Sequence, residues 1–137
     1  MKSGKRRNGR ELAFKLLFQT DLGDIPLEEV IEVSRLTSEA QPAVWEFADH
    51  LAKGAWEQRE KADALISRYA QGWSIERMPH ADRNILRLAL YEMFFVEDIP
   101  PSVSINEAVE LAKQYSTTES ARFVNGILGN VSRHELE

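Results

Sequence analysis

The chain of 137 residues contains no cysteine, which excludes disulfides and thiolate metal sites and suits a reducing compartment. It also lacks any run near the roughly 20 apolar residues needed to cross a bilayer. Its basic start is not followed by the apolar stretch of about 7–15 residues that marks a secretion signal. A cytoplasmic location is therefore expected, where the glycosylation pattern Asn130-Val131-Ser132 has no meaning. Strict alternation of apolar and polar residues is missing as well, so half-buried strands are not expected and the chain reads as all-α. Histidine is sparse: His50, His80 and His134 are scattered and form no His-x-x-x-His pair. No glycine-rich phosphate loop is present, and no motif places a serine beside a histidine. Neither catalytic residues nor a metal site nor a cofactor are expected, and the many acidic residues read as solvated helix faces.

Charge is plentiful but unevenly placed. The net charge is −5, yet the first ten residues hold Lys2, Lys5, Arg6, Arg7 and Arg10 and no acid, leaving the remainder at −10. A basic arm on an acidic body suits contact with a polyanion at one end and with a basic partner elsewhere. A short basic terminus also serves as a solubilising tail. Residues 1–9 read as such an arm, flexible without a ligand, and residues 10–137 as a single helical domain. A chain of this length buries about two thirds of its unfolded surface on folding.

Apolar spacing of three and four residues places the helices. The first is expected from about Arg10 to Asp21, with Leu12, Ala13, Leu16 and Leu17 inward, Phe14 and Phe18 toward its flanks, and Gly23 and Pro26 ending it. Pro26 suits the first turn of a second, short helix carrying Leu27, Val30 and Ile31. Pro42 opens the longest segment, read as one helix to a left-handed cap at Gly72, with Gly54 inside it marking close packing or a bend. A short helix over Ser74 to Met78 precedes a major helix from Pro79 with Ile85, Leu88, Ala89, Met93 and Val96 inward, and Pro100-Pro101 stops it. Ser104-Ile105-Asn106-Glu107 has the form of a capping box, predicting a helix start there. Thr117 or Thr118 caps a last helix with Ala121, Val124, Ile127, Leu128 and Val131 inward.

Three blocks in this order, Asp82-Arg83-Asn84-Ile85-Leu86-Arg87-Leu88-Ala89-Leu90-Tyr91-Glu92, Ile105-Asn106-Glu107-Ala108-Val109-Glu110-Leu111-Ala112-Lys113 and Phe123-Val124-Asn125-Gly126-Ile127-Leu128, resemble the NusB family. The opening Arg6-Arg7-Asn8-Gly9-Arg10-Glu11-Leu12-Ala13 and Leu16-Leu17-Phe18-Gln19 are similar to that family's start. From Leu22 to Gln71 the likeness is one of helical pattern alone. The resemblance implies two packed three-helix bundles and a non-enzymatic transcription antitermination factor. Such a factor binds single-stranded boxA-type RNA together with NusE, a small-subunit ribosomal protein, and joins an antitermination complex on RNA polymerase at ribosomal RNA operons.

Residues carrying that role can be named on both helix geometry and likeness. In a helical arm Arg6 and Arg10 lie one turn apart with Arg7 beside them, and guanidinium forks on adjacent turns can hold successive phosphates. Lys2, Lys5 and Lys15 add general attraction, and Phe18 is either core or a stacking face for an unpaired base. Glu119, Ser120, Arg122, Phe123 and Asn125 resemble the family's second RNA-contacting segment, with Phe123 off the apolar stripe and Gly126 explained by close helix packing. Position 119 carries glutamate where aspartate is common, so the carboxylate is kept with a different reach. Glu76, Arg77, Asp82 and Arg83 match the region that meets NusE, and acids there suit a basic partner. By themselves they read as an exposed helix start. Two other readings remain: the RNA-binding domain of a truncated RNA cytosine methyltransferase, although the chain shows no cofactor-binding region or cysteine nucleophile, and a helical adaptor that binds protein alone. The sequence admits either a monomer or a homodimer that covers its RNA surface.

Overall fold

Seven α-helices make up the computed structural model, which describes residues 4–136: α1 Gly4–Gly23, α2 Leu27–Thr37, α3 Pro42–Glu57, α4 Arg59–Tyr69, α5 His80–Phe95, α6 Pro101–Tyr115 and α7 Thr118–Val131. A 3₁₀ turn, Ile75–Arg77, precedes α5, and a π-turn, Ser132–Leu136, follows α7. Helices α1 to α3 form one bundle and α4 to α7 a second, with α5 packed on both α1 and α3. A single apolar core runs through both, from Leu16, Leu17 and Leu51 to Ile85, Leu88, Val124 and Leu128. The all-α reading holds, and no strand occurs among the described residues.

Most boundaries follow the sequence signals. Pro26 and Pro79 stand immediately before α2 and α5, where a fixed φ suits helix entry. Gly72 takes φ +84°, a left-handed conformation that side chains disfavour. The Thr117 hydroxyl accepts the Ser120 amide at 2.9 Å, capping α7.

Four expectations fail for definable reasons. Helix α1 begins at Gly4, well before Arg10. The long segment from Pro42 divides at Gln58 into α3 and α4, giving the second bundle four helices; Arg59 donates to the Trp56 carbonyl at 2.7 Å and lies over the Trp56 ring, satisfying an acceptor at the break. Ser104 and Glu107 form no capping box, because the Pro100-Pro101 pair has already started α6 at Pro101. Ser104 is instead buried and donates to Glu92 at 2.9 Å. Finally, Phe14 is core rather than flank, only 3% exposed and packed 5.0 Å from Tyr115.

The glycines of the helices separate two roles. A Cβ on Gly54 would meet the Tyr91 ring at 2.1 Å, whereas one on Gly126 would meet nothing within 4 Å. Gly54 thus seats Tyr91 from α5 against α3, and close helix packing does not explain the exposed Gly126. Gly54→Ala is expected to destabilise the fold by a net ~1–2 kcal/mol, overpacking outweighing the better helix propensity. Gly126→Ala should stabilise it by about 0.5–1 kcal/mol. Urea midpoints of the two variants against wild type decide this, and shifts of the same sign would contradict it.

Candidate nucleic-acid interface

The basic residues of α1 do not act as one group. Lys5, Arg6, Arg7 and Lys15 are exposed, while Arg10 is 5% exposed. Arg10 Nε donates to both oxygens of Glu92, at 2.8 and 3.0 Å, and Glu92 is 1% exposed. Burial at this position follows from its register, since Arg10 lies three and seven residues before the core residues Ala13 and Leu17. Arg10 therefore ties α1 to α5 and does not present its fork to a ligand. Lys2 lies outside the described residues.

Arg6 and Arg7 reach outward from the first turns of α1. Arg6 lies 5.3 Å from the Phe47 ring centroid and pairs with Asp98 at 2.7 Å. Arg7 gives Nε and Nη2 to Glu107 at 3.1 and 2.7 Å. Between α1 and α6 runs an open groove of about 400 Å³ whose walls include Arg7, Asn8, Glu107, Lys113 and Gln114. A second cleft, of about 490 Å³, takes in Lys5, Asn8 and Lys15 against Glu39 and Gln41. Phe18 is half-buried, packed against the core and 6.0 Å from the Phe14 ring.

The end of α6 packs on α1, just before α7 starts. Tyr115 packs on Phe14, its hydroxyl bonds the Glu11 carboxylate, and Lys15 Nζ lies 5.8 Å from its ring. Burial, aided by that carboxylate, pushes the Tyr115 phenol up to about 12, so it remains a proton donor. Beyond it, Glu119, Arg122 and Asn125 are exposed on α7. Phe123 is half-buried and meets the half-exposed Trp73 edge to face at 6.1 Å. Ser120 is less available than expected: its hydroxyl donates to Asp82 and lies 2.9 Å from the Ser116 hydroxyl.

The third group divides in the same way. Glu76 and Arg77 are exposed in the 3₁₀ turn, but Asp82 is 3% exposed and accepts the Ser116 and Ser120 hydroxyls, each at 2.8 Å. Arg83 is committed to Asp21 and the Ile75 carbonyl. Asp82 and Arg83 thus hold elements together beneath the exposed turn and are not the free helix start that their charge suggests. Residues missed in the sequence include Phe47, Asp98, Glu107, Lys113, Gln114 and Trp73. The acids could have been suspected, since exposed arginines fold against carboxylates where any are in reach, but their pairing spans about a hundred residues of chain.

Among the described residues no cluster of three or more His, Asp or Glu is arranged to hold a metal ion, and no helix is long and apolar enough to cross a membrane. A family model described as the NusB family matches residues 7–133. The transcription antitermination protein NusB of Symbiobacterium thermophilum is 49% identical, over 93% of this chain and 89% of that relative. Among solved structures, T. maritima NusB superposes with a TM-score of 0.85 at 41% identity, covering 98% of this chain and 94% of that one. A crystal structure of the antitermination factors NusB and NusE in complex with double-stranded RNA gives a TM-score of 0.84 at 28% identity, covering 94% and 96%.

Proposed function

The chain belongs to the NusB family, and we propose that it is a transcription antitermination factor that binds boxA-type single-stranded RNA together with NusE. In this reading the pair assembles with RNA polymerase at ribosomal RNA operons, in the cytoplasm, and performs recognition and assembly with no chemistry of its own. Residues 1–9 act as the basic arm that meets RNA, and a homodimer covering the arm would compete with RNA. The observation that carries the reading is the pair Arg6 and Arg7, exposed at the start of α1 beside a groove that also offers Lys113 and Gln114, in a chain that is net −10 beyond its first ten residues. Lys5, Lys15, Arg122 and the half-buried Phe18 and Phe123 extend the contact, with Glu119 and Asn125 at its margin. Arg10 and Ser120 support it from beneath. For NusE the exposed Glu76 and Arg77 form the contact; Arg83 holds that turn through the Ile75 carbonyl, and Asp82 ties α5 to the junction of α6 and α7.

The test is a titration of labelled single-stranded boxA RNA, with and without NusE, using wild type and the double variant Arg6→Ala/Arg7→Ala. Each arginine makes a charge-assisted contact, so the double variant should lose at least about tenfold in affinity. With two phosphate contacts gone, the slope of log K against log salt should flatten by about 1.4. Both arginines are exposed, so the helical fold should be unchanged. Equal affinity and slope for the two proteins would remove the arm from the RNA site.

A further inference from the structure

Glu107 belongs to α6 and sits with 15% of its side chain exposed between two arginines of α1. Its carboxylate accepts both Nε and Nη2 of Arg7. Two parallel N–H donors on two oxygens is also the geometry with which an arginine fork holds a phosphate. Arg7 itself remains 57% exposed and lines the groove between α1 and α6, together with Lys113 and Gln114. Asp98 makes a simpler contact of the same kind, one hydrogen bond to Arg6. The arginines best placed to meet a polyanion are thus already matched by acids of the same chain.

We infer that Glu107 is an internal competitor for RNA phosphate at Arg7, its carboxylate occupying the fork until a phosphate takes its place. This rests on the RNA-binding reading above. Two features favour exchange over a permanent staple. An ion pair with one exposed end contributes little to folding, because water screens it. Released Glu107 would not be left without a counter-charge, since its Oε1 lies 3.8 Å from Arg10 Nη1, and Arg10 uses only Nε to hold Glu92. The carboxylate can turn from Arg7 to Arg10 within the same groove wall, freeing the Arg7 fork for the phosphate. Glu107 thereby sets how much of the intrinsic affinity of Arg7 for RNA is expressed, and Asp98 does so more weakly for Arg6.

Glu107→Gln keeps the shape and removes the charge. It should raise affinity for single-stranded boxA RNA about threefold or more at physiological salt, the equivalent of releasing one partly exposed ion pair. In an Arg7→Ala background the same change should give no gain, because the competition has lost its object. A gain that persists without Arg7 would mean general charge repulsion and overturn the inference, as would an unchanged or lowered affinity in Glu107→Gln. Thermal unfolding of each variant establishes that the fold is kept, and Asp98→Asn, tested against Arg6→Ala, makes the same measurement should Glu107→Gln fail to fold. Failure of the underlying reading looks different: the wild-type chain itself would then bind no RNA.

Discussion

Replacing Asp21 with alanine is expected to remove about 3–5 kcal/mol of folding stability, lowering the unfolding midpoint by on the order of 10 °C, without touching any residue assigned to RNA. Asp21 lies in the last turns of α1 with 11% of its side chain exposed. Its Oδ2 accepts from Arg83 Nε at 2.6 Å and Asn84 Nδ2 at 2.8 Å and lies 3.0 Å from His80 Nδ1. Oδ1 accepts Arg83 Nη2 at 2.9 Å, and Arg87 stands 3.4 Å away. Without the carboxylate, Arg83 loses its ion pair and the buried Arg87 keeps Asp63 as its one charge partner, beside the Asn84 side-chain oxygen. An uncompensated buried charge costs far more than the ion pair adds. A loss below about 1 kcal/mol in denaturant titration would show that the network relaxes around the gap.

The same group gives a pH signature. Burial on its own would raise the Asp21 pKa, but hydrogen bonds from Arg83, Asn84 and His80 and the charge of Arg87 outweigh it and hold the carboxyl well below the usual carboxylate range. A folded pKa below the unfolded value of about 3.9 means stability that is fully present above that value. That stability is lost as the pH falls from roughly 5 toward the folded pKa. Asp21→Asn should therefore be less stable than wild type at neutral pH, with the difference shrinking in acid. Parallel stability curves from neutral pH to pH 3 would exclude Asp21 as the source.

Why these charges escaped a reading as structural is instructive, because their register was visible. Arg10 is in phase with Ala13 and Leu17, Asp21 falls four residues after Leu17, and Glu92 is three and four residues beyond Ala89 and Leu88. Each charged residue thus occupies a core stripe of its helix, where an ionised group persists only if paired. What the linear pattern cannot supply is the partner, which for Arg10 lies 82 residues away. The same blindness explains Ser104 and Glu107. As a local motif they match a capping box, yet their hydroxyl and carboxylate serve Glu92 and the α1 arginines instead.

Helix order, by contrast, was legible throughout, since apolar period and proline placement are local quantities that packing only reinforces. The break at Gln58 was not, because no proline or glycine stands there and the stripe runs on from Ala55 to Ala62 and Ile66 in the core. Of the site, exposed α1 arginines follow from counting charge, whereas flank position alone does not separate the half-buried Phe18 from the buried Phe14. The acids that face those arginines come from α5 to α6 and are brought there by the fold.

Arg10→Ala should be the other severe lesion, removing about 3–5 kcal/mol by leaving Glu92, 1% exposed, without its countercharge and with the neutral Ser104 hydroxyl as its remaining donor. This bears on how the RNA site is tested. A triple alanine variant of Arg6, Arg7 and Arg10 would lose RNA binding through damage to the fold as well as through loss of contacts, and the two causes could not be separated. Replacing both members of the buried pair, Arg10→Met with Glu92→Met, removes the charges together and fills the space with flexible apolar chains. Such exchanges are often close to neutral, here offset by about 1 kcal/mol for the Ser104 hydroxyl that loses its acceptor. The double variant should therefore recover most of the stability that Arg10→Ala loses. If Arg10 is structural, it should also bind single-stranded RNA within about threefold of wild type, a difference under 1 kcal/mol. A folded Arg10→Met/Glu92→Met protein that binds RNA ten times more weakly even when Glu107→Gln removes the competing carboxylate would return Arg10 to the contact surface. The burial seen without RNA would then have to open when RNA arrives.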